Sequence, residues 1–349
     1  MESRVQRVKK DNLILRGHVD NFEMIRRLSL GEKLPLATNM IPRMVDAGVD
    51  VVIIALGGDG NHQRAGSERP MWGSLRVLDL FLEELKMTDL ARVITDPSDI
   101  PDAPNGVVSF IMEFEGASPL EGSLSHLRNF YRLGLRYMQL THNERNDLAD
   151  GVFDECTGGK LSRFGIDVVR EMNRLGMVIG LSHLNEPGFW QVLELTDSPV
   201  LATHSNARAI LDIPRNLSDQ QLKALAANGG TVGIHACQFM LCEGQSTFDA
   251  YFRHLDHVVG LIGPEHVGVG LLSPEVEWRS AFEKAEKGKG YLDIKEVIVT
   301  PEYPNGLTLD QQNTMFVEQL LKRGYSEEDI SWILGKSFLR VFKEVMKKS

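Results

Sequence analysis

Cysteine is scarce: Cys156, Cys237 and Cys242 are the only three in 349 residues, and no two form a CxxC pair. That argues against a disulfide framework and fits a reducing, cytoplasmic setting. All three read as small buried hydrophobes rather than as ligands or nucleophiles. No apolar run reaches the roughly 18 residues that a bilayer span requires, so no membrane association is expected. The first residues, Met1 to Asp11, are polar and basic, which argues against a secretory leader. Positive charge is also short: 38 Lys and Arg face 48 Asp and Glu, leaving a net charge of −10. Such a surface repels phosphate backbones, so no nucleic-acid partner is expected. There is no internal repeat and no low-complexity tract. The 42% hydrophobic and 25% charged content is ordinary for a globular protein.

What is present is an alternation. Short apolar runs recur: Leu13 to Leu15 (running into Gly17-His18-Val19-Asp20), Val51 to Leu56, Val107 to Phe114, Leu135 to Leu140, Met177 to Leu181, Val200 to Thr203, Thr231 to Ile234 and Val267 to Leu272. Between them, helical spacing marks Leu75 to Leu85, Ser123 to Leu133, Phe164 to Leu175, Phe189 to Leu195, Asp219 to Ala227 and Phe248 to Ile262. Ser218 and Gln221 make a capping box for the fifth of these, and Asn228-Gly229-Gly230 stops it. Strand then helix, eight times, predicts an α/β fold, a (β/α)8 TIM barrel; an open doubly wound sheet is the alternative. No glycine-rich phosphate loop follows the first strand, which counts against a nucleotide-binding sheet. Ser273 to Leu307 is charged and rich in Gly and Pro, and reads as a long loop after the eighth strand. Thr308 to Lys322, Glu327 to Leu334 and Phe338 to Met346 read as extra C-terminal helices on the outside of the barrel. Residues 1–349 are read as a single domain.

In such a barrel, chemistry sits at the C-terminal ends of the strands. Those ends carry His18 with Asp20, then Glu115, His142, His183, His204 and His235. His18 and Asp20 are two apart on a strand and point the same way, so one strand can deliver two ligands. Glu115 has two oxygens and can bridge two ions, and His183 and His204 can serve the second. About three ligands per ion, with room for water, is the pattern of catalytic rather than structural zinc. Any one of these residues could be an ordinary loop residue; their repetition at strand ends is what carries the reading. His254 and His257 lie three apart on a helix outside the barrel and read as structural, as do His126 and His266.

The motifs Gly17-His18-Val19-Asp20, Glu115-Gly116, Leu133 to His142, Leu181-Ser182-His183, Thr203 to Ala207 and Arg215 to Asp219, with weaker support from Gly263 to Gly270 and Gly335 to Phe342, together resemble the membrane (renal) dipeptidase family. Its bacterial members are soluble barrel enzymes of the amidohydrolase type with two zinc ions. The resemblance runs from about Leu13 to Phe342. It implies a hydrolase acting on a small dipeptide-like substrate with a free carboxylate. His18, Asp20, Glu115, His183 and His204 would bind two Zn2+, or another divalent metal in the same nitrogen and oxygen site. His142 would stabilise the oxyanion, and Arg215 would hold the carboxylate in its planar fork. A homodimer is common in the family.

One departure is large. The family has Gly-x-Gly-Ser-Asp-Phe-Asp-Gly after the eighth strand, and its first aspartate shuttles the proton to the leaving amine. This chain reads Gly268-Val269-Gly270-Leu271-Leu272-Ser273-Pro274-Glu275, so Leu272 stands in its place. General acid–base help is typically worth ~10²–10⁴ in rate, so its loss has to be met. Three readings follow. Glu275, Glu277 or His235 supplies the proton; or the metal pair performs different chemistry on a small carboxylate-bearing amide or ring; or catalysis is lost and the protein binds metal or ligand. Retention of all five ligand residues argues against the last. Lys336-Ser337 replaces the usual Gly-Asn, and the wall of His235, Ala236 and Cys237 replaces an aromatic stretch, which points to a shifted substrate preference.

Overall fold

A computed structural model describes residues 2–20, 33–59, 69–243, 247–271 and 308–347. Leu272, Glu275, Glu277, His62 and the segment 273–307 lie outside the described residues. The strands are β1 (Leu15–Asp20), β2 (Val51–Gly58), β3 (Ala91–Val93), β4 (Val108–Glu115), β5 (Tyr137–Gln139), β6 (Val178–Gly180), β7 (Leu201–Ala202), β8 (Thr231–His235) and β9 (Val267–Leu271). All pair in parallel, in the order β1-β2-β4-β5-β6-β7-β8-β9, and β9 returns beside β1. The result is a nearly closed barrel of eight parallel staves with helices around it, as the alternation predicts.

β3 is a ninth strand that the sequence reading did not contain. Its three residues pair with the lower half of β4, Ala91 opposite Val108 and Val93 opposite Phe110. The upper half of β4 pairs with β5 instead, Glu113 opposite Tyr137 and Glu115 opposite Gln139. The two strands therefore share one edge of β4. A run of three residues is too short to show a period in sequence.

Side chains alternate along the staves, as strand geometry requires. Val52, Ile54, Leu56, Phe110, Met112 and Phe114 pack with the surrounding helices. Val51, Ile53, Ile111, Tyr137, Val178 and Leu201 pack inside the barrel. Continuing the inward column of β4 from Ile111 leads to Glu113 and then Glu115, so this strand climbs from an apolar floor to a charged rim.

The last helix corrects an expectation. Ser337–Val345 does not sit on the barrel's outside with the other terminal helices. Phe338, Leu339, Val341 and Phe342 join Leu15, Val51, Ile53, Ile111 and Tyr137 in the interior cluster, closing the barrel floor. Periodicity shows that a helix has an apolar face but not which surface that face meets. The Tyr137 and Phe342 rings meet edge to face, with centroids 6.3 Å apart. Gly17 leaves room for this plug, since a Cβ there would lie 2.9 Å from the Phe338 ring. Ser337 ties the helix down, its Oγ donating to the Val267 carbonyl (2.9 Å) while its own carbonyl accepts from Thr231 Oγ1 (3.0 Å).

Elsewhere the helices start where capping predicts. Ser218 accepts from the Gln221 amide and Gln221 returns the bond, opening the helix Asp219–Ala227. An unforeseen helix, Glu2–Asp11, precedes β1. No helix among the described residues is long and apolar enough to cross a membrane.

Candidate metal and catalytic centre

β1 places its ligands through an irregularity. The pairing with β2 shifts register between Arg16 and Val19, and a bulge of this kind re-aims side chains. Arg16 turns outward to Asn313, while His18 turns inward. His18 Nε2 lies 3.5 Å from Glu115 Oε1 and 3.8 Å from Asp20 Oδ2, so His18 and Asp20 do share a side.

Glu115, the last residue of β4, is the hub. Its Oε1 lies 3.1 Å from His183 Nε2, 3.3 Å from His204 Nε2 and 3.8 Å from His142 Nε2. Two overlapping groups have donor atoms close enough to share an ion: His18, Glu115 and His204, and Glu115, His142 and His183. Asp20 adjoins the first through His18. His183 and His204 also face each other, Nε2 to Nε2, at 2.8 Å.

The imidazoles are aimed from behind. His18 Nδ1 donates to the buried Glu113 carboxylate at 3.2 Å. His183 Nδ1 donates to Asn143 Oδ1 at 2.7 Å. His204 Nδ1 meets Thr203 Oγ1 at 3.0 Å. In each case the Nδ1 partner leaves Nε2 pointing into the centre, the form in which neutral imidazole binds a metal. His183 holds a left-handed backbone with φ of 67°, rare outside glycine. Its carbonyl accepts from the Val152 amide (2.9 Å) and from Thr141 Oγ1 (3.2 Å), which hold that conformation in place.

The donor set suits a divalent cation. Nitrogen and carboxylate oxygen converge on one point, and two imidazole Nε2 atoms approach at hydrogen-bond distance where only a cation or a shared proton can join them. Charge follows the same lines. Burial disfavours charging His18, yet Glu113, Glu115 and Asp20 outweigh it and lift its pKa to about 10. Burial and the nearby Arg215 hold His183 well below the usual histidine range, and burial with His18 does the same to His204. For Glu115, burial opposes ionisation, but the surrounding His142, His18, His183 and His204 keep its carboxyl well below the usual carboxylate range.

The remaining predicted residues lie around this hub. The His142 side chain is 34% exposed, whereas those of His18, His183 and His204 are buried. Its backbone N–H donates to Asp59 Oδ2 (2.9 Å), which also accepts from Asn146 Nδ2 (2.9 Å); Oδ1 accepts from the Ser118 amide (2.8 Å). One carboxylate after β2 thus ties together the loops after β4 and β5. Arg215 is buried, with Nη2 at 2.8 Å from His183 Nε2 and donating to the His204 carbonyl (3.0 Å). Its Nε–H is buried without an acceptor among the described residues. His235 ends β8, its ring centroid 5.5 Å from that of His204. Burial, Arg215 and His18 keep it well below the usual histidine range. His254 is structural, as expected: Nδ1 accepts from the Ala207 amide (3.1 Å) and Nε2 donates to the Leu241 carbonyl (2.9 Å).

Sequence reasoning missed Glu113, Asp59 and Asn143. Glu113 carried a signal: a charge two residues before Glu115 in an otherwise apolar strand must share its inward face. Asp59 and Asn143 act from loops, where no period marks direction.

Known proteins resemble this chain in sequence and in fold. Residues 2–272 match the model of the family described as membrane dipeptidase, peptidase family M19. Dipeptidase verJ of Clonostachys rogersoniana is 33% identical over 248 residues, covering 70% of this chain and 57% of that protein. Human dipeptidase 3 is 34% identical over 241 residues, covering 67% of this chain and 44% of that one. The matched region therefore spans less than two thirds of either relative. An amidohydrolase from Pseudomonas aeruginosa superposes with a TM-score of 0.80 at 22% identity, over 98% of both chains, which establishes the shared barrel. With the family model matched from the first helix through β9, this chain belongs to the membrane dipeptidase family.

Proposed function

We propose that the protein is a hydrolase using two divalent metal ions, zinc by resemblance, to cleave an amide bond in a small dipeptide-like substrate bearing a free carboxylate. The observation that carries this reading is the convergence of three imidazole Nε2 atoms on Glu115, each oriented by its own Nδ1 partner. His18 and Asp20 would hold one ion, His183 and His204 the other, with Glu115 between them. Bound there, the pair would activate water and polarise the scissile carbonyl. Arg215 would take the substrate carboxylate, which supplies the acceptor that its buried Nε–H lacks. His142, whose side chain is more open than those of His18, His183 and His204, would donate to the oxygen that gains charge. The reading treats residues 1–349 as one catalytic unit, acting in the cytoplasm and pairing as a homodimer.

A second reading is favoured by Leu272, which cannot carry a proton. In it the metal pair would perform different chemistry on a small carboxylate-bearing amide or ring that needs no strong leaving-group acid, whereas the first reading has Glu275 or another group supply the proton.

Metal analysis with a dipeptide panel separates these readings. The first expects about two zinc equivalents per chain and turnover of at least one L,L or L,D dipeptide. Full metal occupancy with no turnover of any dipeptide overturns it in favour of the second. Dipeptidase activity created by Leu272→Asp would mark that position as the switch between them.

A further inference from the structure

We propose that His235 is a specificity residue: a neutral imidazole with its proton fixed on Nε2, which donates a hydrogen bond to an oxygen of a carboxylate-bearing ligand and plays no part in proton transfer. The proposal rests on the substrate reading above for its ligand, and on geometry alone for its proton.

The Cys237 backbone N–H donates to His235 Nδ1 at 2.9 Å. A backbone amide can only donate, so Nδ1 must present its lone pair and the single proton must sit on Nε2. To act as an acid, the ring would first have to carry a second proton on Nδ1, directly facing the Cys237 N–H. To act as a base, it would have to accept at Nε2, which is already protonated. Both routes meet the same amide.

The ring is also held in place. Asn206 grips the backbone of His235 from both sides, its Oδ1 accepting from the His235 amide (2.8 Å) and its Nδ2 donating to the His235 carbonyl (3.0 Å). β8 therefore delivers the ring to the rim beside His204 in one orientation. His254 gives the contrast within the same molecule. Its Nδ1 also accepts a backbone amide, but its Nε2–H is consumed by the Leu241 carbonyl. His235 has the same lock behind it, yet its Nε2 has no partner among the described residues. A donor fixed on Nε2 at the rim selects for oxygen acceptors and against ammonium groups.

Two measurements test this on the zinc-loaded full chain. Long-range ¹H–¹⁵N correlation of histidine-labelled protein, with His235 assigned by its loss in His235→Gln, should show a proton on Nε2 and none on Nδ1 at neutral pH. A proton on Nδ1, or a charged ring, overturns the proposal. The second uses alanyl-alanine as the probe, by calorimetry and by turnover. His235→Leu should weaken binding or raise KM by about tenfold, the worth of one hydrogen bond, with kcat changed much less. His235→Gln, whose amide N–H can reach the same place, should restore most of the loss. A fall in kcat of ~10²–10⁴ in both variants would mark a proton carrier and overturn the proposal. If the unaltered protein neither binds nor cleaves alanyl-alanine, the substrate reading fails and takes the ligand half of the proposal with it; the position of the proton is still decided by the first measurement.

Discussion

Glu113 shows how much one buried side chain can set. It is wholly buried, accepts from His18 Nδ1 at 3.2 Å and accepts from Gln139 Nε2. Burial raises its pKa, an effect that the neighbouring His18 opposes. A buried carboxylate is costly unless paired, and here the pairing turns His18 Nε2 toward Glu115. Glu113→Gln keeps an oxygen acceptor for His18 but removes the charge and sets one amide against another at Gln139. We expect zinc affinity to fall about 10–100-fold, the usual effect of losing such a partner, while the metal-free protein keeps its circular dichroism spectrum. Competition with a chelating dye reads the affinity directly; an unchanged value would show that Glu113 does not act through His18.

At the level of elements, the floor of the barrel offers the sharpest test. Phe338 is fully buried, and a Cβ on Gly268 would collide with its ring. Phe338→Ala empties that space and should cost about 3–5 kcal/mol in urea unfolding, as large-to-small core changes do. Gly268→Ala should destabilise the protein alone but much less in the Phe338→Ala background, because the clash is then gone. Additive effects would show that the two do not share that space. A second test lies where β2 begins. Asp50 is buried and its Oδ2 accepts from the Ile14 amide at 2.9 Å. Burial lifts its pKa from 3.8 to about 6, against the pull of that hydrogen bond. The folded chain thus holds this proton more tightly than the unfolded chain. The stability it contributes is fully present below about pH 4 and is lost as pH rises through about 6. Asp50→Asn keeps a carbonyl acceptor for Ile14 and should gain stability relative to the unaltered protein as pH rises across that window. A difference between the two proteins that stays flat from pH 4 to 7 would contradict it.

The same scale shows what was legible beforehand. The eight staves could be read because each is an apolar run, most of them leading to a polar residue, and capping residues marked the helix Asp219–Ala227. β3 and the destination of the last helix could not. The first is too short to have a period, and the second depends on which apolar surface is left open once the staves close. The site divides in the same way. Residues at strand ends were readable because a barrel gives every strand end one address. Their partners Asn143 and Asp59 come from loops, whose direction is set only by the finished fold.

Taken as a whole, the molecule gathers its candidate ligands at one rim from β1, β4, and the segments after β6 and β7, elements far apart in sequence. In an unfolded chain these groups are dispersed, so ions that bind the centre bind only the folded form. Mass action then makes metal a stabiliser of the entire barrel, by RT ln(1 + [L]/Kd), or about 2.7 kcal/mol at a hundredfold excess over Kd. For a chain this long that amounts to a few degrees in Tm. Thermal melts of the purified protein should therefore fall by about that much after chelation and return with added zinc, rising with the logarithm of its concentration. Glu115→Gln removes the hub toward which His18, His142, His183 and His204 all point, and should leave a folded protein whose melting no longer responds to zinc. A melting temperature indifferent to chelator and zinc in the unaltered protein, with no metal found by elemental analysis, would mean that the converging side chains are held by hydrogen bonds alone.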